Sequence, residues 1–302
     1  MKRTVLRGIT EVILTMELKN EENKMKWNII ADSSCDLFTL EKAYTDISFS
    51  TIPFVISVDG KDYIDDETLN TSQMVFTMEE SKKASHTSCP SPEAWYEQFE
   101  KPGYAIAITI SSRLSGSYNS ASTAMNMILE TYPDKKIALI DSRSTGPEMI
   151  MIVRKLCKLI ESGADFDTVV TGTNEYAKRT HIVFALSSFG NLIKNGRMSR
   201  IAGFLAGRLH LWGIGIGSEE GTIQIKQRAR GKRMAVEAII DDIRERRNNP
   251  GEVVISHCQN PELAQSLKES IEKAWHDAHV TVIPTRGLDS YYAERGGLIV
   301  AY

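Results

Sequence analysis

Tyr104-Ala105-Ile106-Ala107-Ile108-Thr109-Ile110-Ser111-Ser112-Arg113-Leu114-Ser115-Gly116-Ser117 decides the fold. The first seven residues form a short, nearly continuous apolar run, the pattern of a strand buried on both faces. A cluster of hydroxyl residues follows, and a helical period then runs over Ser117–Thr131. The same order recurs outward from this stretch. Trp27–Ala31 precedes Asp32-Ser33-Ser34-Cys35-Asp36, and Lys136–Ile140 precedes Asp141-Ser142-Arg143-Ser144-Thr145-Gly146. A less clean copy is the polar stretch ahead of Thr87-Ser88-Cys89-Pro90-Ser91-Pro92. In an open α/β sheet such junctions lie at the carboxyl ends of parallel strands, where ligands bind. Helix N-termini there offer free N–H groups and a partial positive charge. Serines and threonines gathered on that side suggest a small anionic head group, a carboxylate or a phosphate.

The other element signals agree. Ile52–Val58 reads as one strand, and Asp59-Gly60 after it is a hairpin turn signal. Asn70 or Thr71 can cap a helix running to Lys82, and Ser91-Pro92-Glu93 opens another. Gly146–Ser162 is a helix stopped by Gly163. The first half therefore predicts a mainly parallel sheet with helices on both faces.

The second half has a different rhythm. Asp165–Lys178 is helical, His181–Leu186 is a strand, and Leu192–Arg208 holds two short helices around Asn195-Gly196. Leu209–Ile216 and Thr222–Ala229 form an antiparallel hairpin. Helices over Lys232–Arg247 and from Asn260-Pro261-Glu262 to His276 alternate with strands at Glu252–His257, Val280–Pro284 and Leu298–Tyr302. The expected organisation is an extension or linker over 1–25, an N-terminal α/β domain over 26–165 and a mixed-sheet α/β domain over 166–302. Removal of 1–24 is expected to leave stability and binding intact.

The 302 residues are 42% hydrophobic and 25% charged, with a formal net charge of -3. No broad basic field exists to attract nucleic acid. No apolar run approaches the roughly 20 residues of a membrane span. The four cysteines form no C-x-x-C pair, so no zinc or redox motif is supported, and a reduced cytoplasmic setting fits. The histidines lack metal-ligand spacing, and no cofactor is expected.

Ser111 and Ser112 are candidates for holding an anion, and helix capping is the structural alternative. Thr87 and Ser88 could serve the same anion or form an ordinary turn. Asp32 and Asp36 suggest acid/base work or a cation site. The structural reading is that Asp32 fixes its loop through backbone N–H groups and Asp36 caps a helix. Arg197, in the turn Asn195-Gly196-Arg197-Met198-Ser199-Arg200, carries a fork of donors suited to a carboxylate. His257 reads as a satisfied core histidine. No G-x-S-x-G or G-x-G-x-x-G string supports an esterase elbow or a dinucleotide fold.

Taken in order, several of these strings resemble the DegV family of fatty-acid-binding proteins. They are Ile30–Leu37, Ile52-Pro53 through Tyr63, Thr87–Pro92, Ile110–Ala121, Ile140-Asp141-Ser142, Gly196–Ser199, Ile255-Ser256-His257 and Asn260-Pro261. The resemblance implies two α/β domains and one long-chain fatty acid buried near their junction. It also implies that Thr87 and Ser112 hold the carboxylate and that Arg197 lies near it. A separate ATP-dependent kinase would phosphorylate the presented acid. The histidine common near the family's carboxy terminus is missing from Ser290–Leu298, where Tyr292 would supply a phenol donor instead. Phe184, Leu186, Ile201, Phe204, Leu205 and Ile216 are tunnel candidates, with core packing as their alternative. The rival function is a hydrolase or transferase acting on an acyl or phosphoryl group, with Ser112 as nucleophile and Arg197 as clamp. A third is a small-molecule sensor acting through a partner surface.

Overall fold

A computed structural model describes residues 25–198 and 211–302. The first sheet has the parallel order β2-β1-β6-β7, from β1 (Trp27–Asp32), β2 (Ile47–Ile52), β6 (Tyr104–Thr109) and β7 (Ile137–Asp141). All six residues of β1 are buried, as its unbroken apolar pattern requires. Trp27, Ile29 and Ala31 face one helical layer, while Ile30 faces the other. In the chain between β2 and β6 come the strands of a separate small antiparallel sheet, β4-β3-β5, made of β3 (Val55–Val58), β4 (Lys61–Ile64) and β5 (His86–Ser88).

Helices α1 (Thr71–Glu80), α2 (Pro92–Phe99), α3 (Ser117–Thr131), α4 (Pro147–Glu161) and α5 (Phe166–Ala177) follow the sequence signals closely. Asn70 caps α1 and Ser91 caps α2, each accepting a backbone N–H three residues on. The α2–α3 layer covers one face of the parallel sheet and the α4–α5 layer covers the other.

The second sheet has the order β10-β9-β8-β13-β11-β12. Its elements are β8 (Ile182–Leu186), α6 (Gly190–Lys194), β9 (Leu211–Gly217), β10 (Ile223–Arg230), α7 (Lys232–Arg246), β11 (Glu252–His257), α8 (Pro261–Ala274), β12 (His279–Pro284), α9 (Gly287–Ala293) and β13 (Leu298–Ala301). Only β11 and β12 run parallel; the other pairs are antiparallel. Helices α7 and α8 pack on one face. The opposite face carries Ile182, Phe184, Leu186 and Ile299 against α1, α6, α9 and the small sheet.

Three expectations need correction. Ile52–Val58 is two strands in different sheets. Pro53 interrupts the pairing because it lacks an N–H, and Phe54 gives its own N–H to Ser33 Oγ at 2.9 Å. No helix follows Asp36, whose Oδ1 instead accepts the N–H of Arg286, the residue before α9, at 2.7 Å. Thr87 does not end a parallel strand but lies on the short antiparallel β5. Helix α6 ends at Lys194 before Asn195-Gly196, while the second expected helix falls largely on 199–210, outside the described residues.

Candidate functional site

The hydroxyl clusters do meet at the ends of β1, β6 and β7, but much of their bonding capacity is used within the protein. Asp32 fills the point between β1 and β6 where the sheet order reverses. Its Oδ2 accepts Ile110 N at 3.0 Å and Ser117 Oγ at 2.6 Å, and its Oδ1 accepts both groups of Ser34. Burial raises its carboxyl above the ordinary value, and these hydrogen bonds act against the rise. Asp32 is thus the loop-fixing residue that its position suggested.

Ser111 is fully buried. Its hydroxyl donates to Gly221 O at 2.7 Å and its N–H to Ser144 O at 2.9 Å. It therefore ties the β6 loop to the β9–β10 turn. Ser112 is half-buried and faces Asp141, which accepts its hydroxyl at 2.5 Å and its N–H at 3.1 Å. Among the described residues, Asp141 is therefore the side-chain partner of Ser112.

Thr87 and Arg197 converge on one side chain, Tyr292 of α9. The Thr87 and Tyr292 hydroxyls lie 2.8 Å apart, and the Arg197 guanidinium sits over the Tyr292 ring at 5.8 Å. Arg197 is held in turn by Leu114 O at 3.1 Å and Asn195 O at 2.7 Å. Burial pushes the Tyr292 phenol up, with Thr87 and Arg197 acting in the opposite direction, so it remains a hydrogen-bond donor at neutral pH. Neighbouring Tyr291 anchors the same helix to Ser85 and Asn195. Ser88, next to Thr87 on β5, is exposed. Strand alternation turns the two side chains to opposite faces.

Tyr292 and Leu114 also line an apolar cavity. Its cavity volume is about 70 Å³, within about 550 Å³ of space between atoms that includes open solvent. The walls are Ile182, Phe184 and Leu186 of β8, Ile299 opposite Phe184 on β13, Leu192 of α6 and Ile223 of β10. Phe184 and Leu186 were candidates from sequence. Ile182 was not, although the two-residue period along β8 carries its signal, and neither was Ile299 of β13. Ile216 belongs instead to the core beneath α7 and α8, and Ile201, Phe204 and Leu205 lie outside the described residues. Polar groups reach the cavity from Arg143, Ser144, Thr145, Thr222 and Asp289.

His257 is half-buried and accepts Asn260 N on Nδ1 at 3.3 Å; burial lowers its pKa. Among the described residues no group of three His, Cys, Asp or Glu side chains could hold a metal ion. Among those residues, too, no helix is long and apolar enough to cross a membrane.

The sequence profile of the DegV family, described as uncharacterised proteins, matches residues 26–293. A DegV domain-containing protein of Streptococcus pyogenes serotype M1 is 39% identical over 278 residues, 92% of this chain and 99% of the relative. The chain belongs to the DegV family. Two solved structures bear on the cavity of this DegV protein. The fatty acid kinase (Fak) B3 protein of Streptococcus pneumoniae, loaded with linoleic acid, shares 38% identity and a TM-score of 0.89, covering 92% of this chain and 99% of its own. A DegV family protein of Eubacterium eligens, loaded with heptadecanoic acid, shares 33% identity and a TM-score of 0.86, covering 91% and 98%.

Proposed function

We propose that this DegV protein binds one long-chain fatty acid and presents its carboxylate to a fatty-acid kinase, with no turnover of its own. The observation that carries the reading is the Thr87–Tyr292 hydroxyl pair, under Arg197, beside an apolar cavity. An acyl chain gains about 0.8 kcal/mol for each CH₂ removed from water. The carboxylate needs donors once it is desolvated. Thr87, Tyr292 and Arg197 supply them. Ser112 joins them by turning its hydroxyl from Asp141, which keeps its bond to Ser112 N. Ser111 holds the loop, and Ser88 stands behind Thr87 on the exposed face. The kinase partner is supported by the name of the S. pneumoniae relative. A reduced, cytoplasmic location suits a chain whose described cysteines are all free thiols.

Native mass spectrometry of the purified protein, followed by solvent extraction, tests the reading. One fatty acid per chain is expected. A protein that is empty and also refuses added palmitate and oleate would overturn it.

A further inference from the structure

A second feature lies directly beneath the cavity. Asp36 and Asp289 are 6% and 3% exposed, and the Oδ2 of each lacks a well-formed hydrogen bond, although the buried Ser256 hydroxyl, also without one, lies beside Asp36 and acts to lower its pKa. Both Oδ2 atoms point at the same place. A Cβ added at Gly146 would lie within 3.0 Å of each, and Gly146 itself has a φ of +51°. The other oxygens are committed, Asp36 Oδ1 to Arg286 N at 2.7 Å and Asp289 Oδ1 to Thr145 Oγ1 at 2.8 Å. Two buried carboxyls this close to each other cannot both stay ionised without a large electrostatic cost. One proton on the pair removes one of the two charges.

We propose that Asp36 and Asp289 share one proton as a buried acid–carboxylate pair, and that this proton lets the neighbouring cavity retain an anionic ligand. The ligand clause rests on the fatty-acid reading above; the proton pair stands on its own geometry. Asp289 lines the cavity and lies one helical turn before Tyr292, so the two share a face of α9. Loss of the shared proton places a second negative charge beside the site of the ligand carboxylate.

The charged surroundings favour holding the proton. Asp32 faces the pair from the end of β1, and Asp65 from the segment after β4. Arg286 offsets them only in part, because Asp65 and the backbone carbonyls of Leu37 and Asp65 engage its guanidinium. Arg143 and Tyr292 line the same cavity as Asp289. Burial raises Asp36 to about 7, and burial together with Asp36 raises Asp289 well above the carboxylate range.

The test has two readouts on the full-length chain. The first is the infrared C=O stretch of protonated carboxyls between about pH 6 and about pH 9, the window in which such groups titrate. Glu148→Gln serves as background, because Glu148 is also buried and raised to about 7. A band that fades toward alkaline pH, and is lost in both Asp289→Asn and Asp36→Asn, is expected. Its absence from the parent protein, or its survival in both variants, would overturn the pair. The second readout is palmitate affinity beside that of hexadecanol. Palmitate binding should weaken about tenfold over the same window, one pKa unit of coupling, while hexadecanol changes less. Asp289→Asn should flatten the palmitate curve. Equal pH slopes for the acid and the alcohol would overturn the ligand clause. Failure to bind palmitate at any pH would sink the fatty-acid reading, and the infrared band would still decide the pair.

Discussion

Thr87 and Tyr292 stand 205 residues apart and satisfy each other's hydroxyls. Neither a turn nor a cap accounts for such a pair, so its role is tested by breaking it. Tyr292→Phe keeps the ring under Arg197 and removes one donor. Palmitate affinity should fall by about 1–2 kcal/mol, roughly five- to thirtyfold, in a displacement titration. An unchanged affinity would remove Tyr292 from the head-group site. Glu148 offers a stability test. It is 4% exposed and accepts from Ser144 Oγ and, at 2.6 Å, Thr180 Oγ1; burial raises its pKa to about 7. An unfolded glutamate ionises near about 4.3. Between that pH and about 7 the folded state holds a proton that the unfolded state lacks, so stability falls as pH rises and levels off above the window. Glu148→Gln removes this slope. The Tm of the variant minus that of the parent should grow more positive from about pH 5 to about pH 8. At this scale the strings pointed to Thr87 and Arg197, and the missing histidine to Tyr292, three side chains that the structure brings together. Asp141 and Asp289 were not, because the groups they serve come from distant loops.

Elements with local signals were read from sequence nearly to the residue. Helix α3 spans Ser117–Thr131 as its period required, and Asp59-Gly60 closes the β3–β4 hairpin with positive φ at both residues. Helix α9 carried no such signal. Its seven residues are too few to show a period. Its cap is Asp65, whose Oδ1 and Oδ2 accept Gly287 N and Leu288 N at 2.8 and 2.9 Å from more than 200 residues away. Strand β5 was missed for a related reason, having only three residues. The distant cap makes α9 fragile in a specific way. Asp65 also faces the buried Arg286 guanidinium, Nε to Oδ1 3.8 Å. Asp65→Ala leaves that cation without its carboxylate and frees the first N–H groups of α9. A loss of about 3–5 kcal/mol is expected from the urea midpoint. Palmitate binding should weaken as well, because Tyr292 rides on the same helix. A variant that loses stability but keeps full affinity would separate α9 from the binding site.

For the whole molecule, length and the change of rhythm pointed to two domains meeting near residue 165. That position lies between α4 and α5, which pack on each other within one hydrophobic core. The core takes Trp27, Ile29, Ile106 and Ile140 from the parallel sheet, and Val254 and Ala301 from the mixed one. Polar ties cross the same junction: Ser111 to Gly221 O, Thr145 to Asp289 and Arg286 N to Asp36. Sequence periodicity reports which face of a helix is apolar, but not that α4 is apolar enough to serve two sheets. Ten of its fifteen residues are buried, which is the pattern of a helix enclosed on most sides rather than one lying at a surface. We therefore propose that the two halves are topological units and unfold together. Calorimetry should give one endotherm whose calorimetric and van't Hoff enthalpies agree for the full chain. Two separable endotherms would show that the shared core contributes little, and the cavity between the sheets could then open without unfolding either half. A single endotherm would mean instead that ligand entry depends on movements smaller than domain separation, with the segment that carries Tyr292 and Asp289 in a position to respond to both ligand and pH.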